Sequence, residues 1–115
     1  YNTDTIIATK KYIAYLRFQK KNIDELKDVL VISYEDLTDN PKKTKETIIN
    51  FIPSLSDINI ALQFNAHNMY KKKRMGIKNL NQDSISALTK DQIQTINSLL
   101  NKEQELINYF NYKII

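Results

Sequence analysis

The sequence contains no cysteine, so it can form neither a disulfide framework nor a thiolate metal site. It has one glycine and two prolines, and this scarcity of turn-forming residues argues against an all-β fold and favours helices joined by polar connectors. Its longest apolar run is far short of the roughly 18 residues that span a bilayer, and no signal-peptide segment opens the chain. The sequence therefore predicts no membrane span. The compartment cannot be read from cysteine usage and stays unknown, with the cytoplasm slightly favoured.

The residues that are present suit a small folded domain. At 115 residues, 42% of them apolar, the chain is predicted to be globular with a modest core. The formal net charge is +4. A mild excess of lysine is also common on solvated surfaces, so this charge favours an anionic partner without requiring one.

Two segments have the periodicity of amphipathic helices. Residues 4–21 place apolar side chains at mixed spacings of three and four. Thr89, with Gln92 in the first turn, predicts a capped start to a long helix whose apolar stripe runs over 93–110. Such a stripe is typical of core packing.

A short apolar run, VLVI at residues 29–32, is rich in β-branched residues and shows no polar alternation. This pattern predicts a strand over 29–34 that is buried on both faces, as in the interior of a parallel sheet, and hence an α/β fold. A strand of this kind needs neighbouring strands, and no second segment has an equally clear strand pattern. We therefore expect the rest of the sheet to lie N-terminal to Tyr1.

The segments that follow alternate between helical patterns and connectors. Pro41, preceded by a capping Asp-Asn pair, predicts a helix that ends near Pro53. A further helix is predicted over 58–70, followed by a basic run at 71–74 and by an irregular loop over 77–87.

The order of features over 29–55 matches a known pattern. An apolar strand is followed by Tyr34-Glu35-Asp36-Leu37, by a linker containing Pro41, and by a helix ending in Phe51-Ile52 before Pro53. This combination resembles the C-terminal half of the sulfotransferase family. The resemblance implies an α/β fold with a P-loop-like parallel sheet, in which residues 1–115 form a single partial domain at the C-terminal end.

The resemblance also implies a co-substrate, 3′-phosphoadenosine-5′-phosphosulfate (PAPS), and no metal. Tyr34 matches a family tyrosine that contacts the adenine of this sulfuryl donor. Arg74 and Gly76 match an Arg-Lys-Gly motif that grips its 3′-phosphate, although Met75 replaces the lysine and the tryptophan of a following family motif is absent. The donor-binding residues implied by the resemblance are thus Tyr34, Arg74 and Gly76.

No catalytic residue is expected in this chain. In the family, the phosphosulfate loop and the catalytic base lie upstream of the matched region, so the chain alone should not turn over. In the intact enzyme, a hydroxyl or amine of a small-molecule or glycan acceptor would attack sulfur. Glu35 and Asp36 are adjacent, and adjacent side chains on an extended chain point in opposite directions, so we expect them to hold the loop. His67 has no flanking signature of a metal cluster or a catalytic triad.

Two other functions fit the composition. A non-catalytic, mainly helical module could use the basic run at 71–74 on an acidic protein or a nucleic acid, although no nucleic-acid signature motif is present. A helical interaction protein could pair through the stripe at 4–18 or the stripe at 93–110. Without the resemblance, a solvated helix end is the simpler interpretation of Arg74, because cations there complement the helix dipole.

Overall fold

The chain is mostly helical in a computed structural model, which describes residues 3–61, 64–65 and 74–115. The helices are α1 (Thr3–Glu25), α2 (Tyr34–Asp39), α3 (Pro41–Phe51), α4 (Asn81–Ser86), α5 (Lys90–Leu100) and α6 (Gln104–Tyr109). Two 3₁₀ turns lie at Pro53–Leu55 and Asn101–Glu103. Within the described ranges the only strands are β1 (Phe64–Asn65) and β2 (Arg74–Met75), which pair antiparallel.

The predicted parallel-sheet fold and the buried strand over 29–34 are wrong. Residues 29–33 belong to no helix or strand, and Tyr34 already begins α2. Val31, at the centre of the run, is 54% exposed. An extended apolar segment becomes a strand only when another strand takes its backbone hydrogen bonds, and no strand among the described residues pairs with it. The described residues therefore form a mainly helical fold.

The helices with strong local signals were predicted correctly. α1 confirms the helix expected over 4–21 and continues to Glu25. α3 begins at Pro41, which occupies its first turn, and ends at Phe51. The spacing of apolar residues and a proline in the first turn are properties of the segment's own sequence. They therefore predict a helix without knowledge of the elements that the helix packs against.

Predictions for the middle of the chain were less accurate. Residues 58–61 are not helical and Phe64–Asn65 form a strand, so the helix expected over 58–70 is wrong at these positions. The rest of that prediction lies outside the described residues. The loop expected over 77–87 contains the short helix α4.

The elements group into two compact units. The terminal unit combines the described residues of Tyr1–Val29 with Asn81–Ile115, and the central unit is Leu30–Leu80. The interpretation of 1–115 as a single partial domain stays a prediction. No helix in the described ranges is both long enough and apolar enough to cross a membrane.

The terminal unit has a hydrophobic core built from α1, α5 and α6. Ile13 and Leu16 lie three residues apart on α1 and therefore share one face of that helix. The buried apolar side chains are Ile13, Leu16, Leu100, Leu106 and Ile107. The apolar stripe over 93–110 is thus part of a core, as its spacing indicated. The single long helix predicted to carry it is wrong, because α5 ends at Leu100 and a 3₁₀ turn at Asn101–Glu103 separates it from α6.

A capping box starts α5. Gln92 donates its backbone N–H to Oγ1 of Thr89 at 3.2 Å, and Thr89 donates its backbone N–H to Oε1 of Gln92 at 2.9 Å. These reciprocal bonds satisfy two backbone donors, and they confirm the cap predicted at Thr89.

The chain reverses direction after α6 in a Schellman turn. Asn111 adopts the left-handed conformation, with φ of 55°. Its N–H donates to the carbonyl of Asn108, and the N–H of Tyr112 donates to the carbonyl of Ile107. The turn lets the Tyr112 ring stack on that of Phe110 at 5.7 Å between centroids.

The central unit is held together differently. Its one buried residue in the described ranges is Thr44, which is 5% exposed. Thr44 Oγ1 donates to the carbonyl of Asp36 at 2.8 Å, and the same carbonyl accepts the N–H of Asn40 at 3.0 Å. The corner between α2 and α3 is therefore fixed by hydrogen bonds.

Candidate functional site

Tyr34 connects the start of α2 to a segment far along the chain. Its hydroxyl donates to the carbonyl of Lys78 at 3.1 Å and accepts the N–H of Leu80 at 3.0 Å. The phenol thus uses its donor and one acceptor position within the central unit. The residue nevertheless remains 44% exposed. Its hydroxyl has a structural role, while part of its surface stays accessible.

Ser33 fixes Tyr34 at the first position of the helix. The backbone of Ser33 is extended, with φ of −81° and ψ of 157°, and its Oγ accepts the N–H of Asp36 at 3.0 Å. Glu35 and Asp36 lie in the first turn of α2, where carboxylates complement the helix dipole. The prediction placed these acids on an extended chain, and that part of it is wrong.

A second contact holds the other end of α2. Asn79 Nδ2 donates to Asp39 Oδ1 at 3.1 Å. Tyr34 begins α2 and Asp39 ends it, so both ends of this six-residue helix are bonded to residues 78–80. We call Tyr34, Asp39 and residues 78–80 the clasp. The sequence indicated Asp39 only as part of a capping pair before Pro41, and it gave no signal for the contact with Asn79, which spans forty positions.

Gly76 lies two residues before the clasp segment and is half-buried. A Cβ placed on Gly76 would meet no atom within 4 Å, and its φ is not positive. The chain's own packing therefore does not require glycine here. The space beside its Cα is open to another molecule.

Arg74 lies in β2, where its backbone pairs with Asn65 of β1. Its side chain lies outside what the structure describes, as do residues 66–73, which include His67 and most of the basic run. Of the three predicted donor-binding residues, Tyr34 belongs to the clasp and Gly76 lies two residues before its segment 78–80. The role of the Arg74 guanidinium stays a prediction.

A titratable cluster in the terminal unit was missed from the sequence. Lys20 Nζ donates to Asp24 Oδ2 at 2.8 Å, and the Tyr109 hydroxyl donates to Oδ1 of the same carboxylate at 2.9 Å. Lys20 Nζ also lies 4.8 Å from the centre of the Tyr109 ring. The spacing of four between Lys20 and Asp24 on one helix was a readable signal. The link to Tyr109 was not, since it spans 85 positions.

These contacts shift the pKa of each group in the cluster. The hydrogen bond from Lys20, followed by that from Tyr109, lowers the pKa of Asp24. The bond to Asp24 raises the pKa of Lys20. Desolvation, followed by the bond to Asp24, raises the pKa of Tyr109. The cluster joins α1 to α6 and is stabilised most when the carboxylate is charged and the phenol is protonated.

The described parts of the chain contain no group of three or more histidine and acidic side chains placed to hold a metal ion. The candidate site is therefore the clasp with the neighbouring Gly76.

Comparisons of the chain with family models, with curated proteins and with solved structures give no match.

Proposed function

We propose that the central unit supplies part of the binding site for PAPS, in an enzyme that transfers a sulfuryl group to a hydroxyl or amine acceptor. Tyr34, Arg74 and Gly76 bind the nucleotide part of this donor. None of the three performs the chemical step.

The clasp is the observation that carries the proposal. The Tyr-Glu-Asp-Leu and Arg-Met-Gly segments are far apart in the sequence, and one nucleotide can reach both only if they are neighbours. The Tyr34 hydroxyl is bonded to the backbone of Lys78, 44 positions away and two residues after Gly76. Tyr34 is therefore in contact with the residues that directly follow the Arg-Met-Gly segment, within one unit.

The geometry of Tyr34 favours stacking over hydrogen bonding to the ligand. Its hydroxyl is already bonded to Lys78 and Leu80, so the exposed part of the side chain is what remains for contact. An aromatic ring stacks on the flat face of a purine, and such stacking contributes about 1–3 kcal/mol per base. This fits a contact with adenine.

Arg74 and Gly76 suit the 3′-phosphate of the donor. A guanidinium group presents parallel N–H donors that match phosphate oxygens, and hydrogen bonds of this kind are strengthened by charge. A glycine with open space beside its Cα lets a ligand approach the backbone closely. The net charge of +4 also favours an anionic ligand, although weakly.

Calorimetric titration with 3′-phosphoadenosine 5′-phosphate at fixed salt tests the proposal. We expect saturable binding that Arg74→Ala weakens by about tenfold or more, because a hydrogen-bonded charge pair is lost. Gly76→Ala should also weaken binding without unfolding the chain, since the added Cβ meets no atom within 4 Å. Lys43→Ala is the matched control, because it removes the same charge from an exposed position on α3.

Two results would count against the proposal. Equal losses in Arg74→Ala and Lys43→Ala would mean that only total charge matters. Equal affinity for any polyanion, with a steep salt dependence, would instead identify a general anion-binding module.

A further inference from the structure

Helix α1 carries a second apolar stripe on the side away from the core. Its buried side contains Ile13 and Leu16. Ile7, Tyr15 and Phe18 are 48%, 66% and 68% exposed. At roughly 3.6 residues per turn, Ile7 and Phe18 are three turns apart and aligned, with Tyr15 beside them and Leu16 on the opposite side. We call the side of α1 that carries Ile7, Tyr15 and Phe18 the outer face.

Lysines lie within this stripe and along its border. Lys11 is four residues after Ile7 and four before Tyr15, so it lies inside the stripe. Lys10 follows Ile7 by three residues, and Lys21 follows Phe18 by three, so these two border it. All three lysines are exposed. By the same spacing, the exposed acids Asp4 and Glu25 lie at the two ends of this side of α1, and the three lysines lie between them. The outer face thus combines aromatic and aliphatic surface with a small excess of positive charge.

The other cations of α1 have acidic partners within the terminal unit. Arg17 pairs with Glu103, and Lys20 pairs with Asp24. Those two ion pairs link cations outside the stripe to carboxylates of this chain. The lysines of the outer face are therefore the ones that remain to attract an external anion.

The position of Lys11 distinguishes between possible partners. In a dry apolar groove of another protein, an ammonium group at the centre of the contact would lose its hydration at high cost. A second copy of α1 would bring two sets of lysines together, and like charges oppose such pairing. At a lipid surface, the lysine stem can lie along apolar groups while the ammonium reaches the headgroup phosphates.

The geometry points to an anionic lipid bilayer as the partner of the outer face. Ile7, Tyr15 and Phe18 enter the boundary between headgroups and acyl chains, where aromatic rings are favoured. Lys10, Lys11 and Lys21 contact the negatively charged headgroups. The helix lies in the plane of the interface and does not cross it, and the core packing of its other side is retained. This surface is independent of the nucleotide site in the central unit.

Vesicle flotation of the full chain tests this inference. We expect binding to vesicles with about 30 mol% phosphatidylserine, weakened by added salt, and none to neutral phosphatidylcholine vesicles. Each lysine near the surface contributes about fivefold, so the double variant Lys10→Gln with Lys11→Gln should bind about 25-fold more weakly. Phe18→Ser should also weaken binding, while circular dichroism shows an unchanged helix content, because this side chain is 68% exposed.

The matched control is the double variant Lys102→Gln with Lys113→Gln, which removes two exposed charges elsewhere in the terminal unit and should bind as the wild type does. Equal binding to neutral vesicles would overturn the inference, and so would anionic binding that Phe18→Ser leaves unchanged. Binding to poly-L-glutamate without binding to vesicles would assign the face to an acidic protein. A dimer that Phe18→Ser dissociates would assign it to a second copy.

Discussion

At the scale of single residues, Tyr34 has a position that its sequence context could not reveal. The resemblance of its four-residue segment made it a candidate for contact with adenine. The structure places it at the start of a helix and gives its hydroxyl two backbone partners. A hydrogen bond across 44 positions leaves no local pattern in the sequence. The sequence therefore identified Tyr34 as a candidate but could not predict where its side chain lies.

Tyr34→Phe tests the role of the hydroxyl. It removes both hydrogen bonds while it keeps the ring, and we expect the central unit to lose about 0.5–1.5 kcal/mol of stability per bond, at the lower end because the site is exposed. The measurement is amide hydrogen exchange at Leu80, whose N–H loses its acceptor and should exchange faster. The amide of Asn40, which is bonded to the carbonyl of Asp36, should change little. Unchanged exchange at Leu80 would mean that the clasp does not hold in solution.

At the scale of elements, the predictions were correct where the local sequence of a segment is enough to determine its secondary structure. α1 and α5 have apolar residues at helical spacing, and Thr89 forms the expected cap. The VLVI run failed because a strand depends on a neighbour that the segment itself does not specify. A β-branched composition favours an extended backbone, but a β-strand also needs hydrogen bonds to a neighbouring strand.

The Thr89 cap gives a quantitative prediction for α5. Thr89→Ala removes the acceptor for the Gln92 N–H and should cost about 1 kcal/mol of unfolding free energy. Denaturant unfolding followed by circular dichroism measures this loss. Thr95→Ala makes the same change within α5, where alanine has the higher helix propensity, and should be less destabilising. Equal losses in the two variants would show that the cap contributes nothing specific.

At the scale of the whole molecule, the two units differ in what stabilises them. The terminal unit buries apolar side chains from three helices, while Thr44 is the one buried residue in the described part of the central unit. Composition correctly indicated enough apolar residues for a modest core. It could not indicate that the buried apolar side chains of the described residues would all belong to the terminal unit, because the distribution of burial depends on contacts between distant segments.

The Lys20–Asp24–Tyr109 cluster predicts how the stability of the terminal unit depends on pH. The folded-state pKa of Asp24 is lowered, so its contribution is present above its unfolded pKa, near 3.8, and is lost as pH falls through the folded value. The pKa of Tyr109 is raised, so its contribution is present below 10.0 and is lost as pH rises through the folded value. Both contributions are small because the groups are exposed to solvent.

Thermal unfolding across a pH series checks both the acidic and the alkaline pH dependence. The difference in stability between wild type and Asp24→Asn should shrink on acidification below about pH 4. The difference between wild type and Tyr109→Phe should shrink on the alkaline side. Differences that stay constant with pH would show that these groups act through packing alone.

The central proposal is that the central unit, which contains the clasp, recognises a nucleotide by its 3′-phosphate. The most direct measurement compares the Kd of the chain for adenosine 3′,5′-bisphosphate with its Kd for the 2′,5′ isomer, at the same salt concentration. The two ligands carry the same charge and the same base, so general electrostatic attraction cannot distinguish them. We predict that the 3′,5′ isomer binds about tenfold more tightly, as expected if a charge-assisted contact depends on the position of the phosphate. Equal Kd values for the two isomers would contradict the claim.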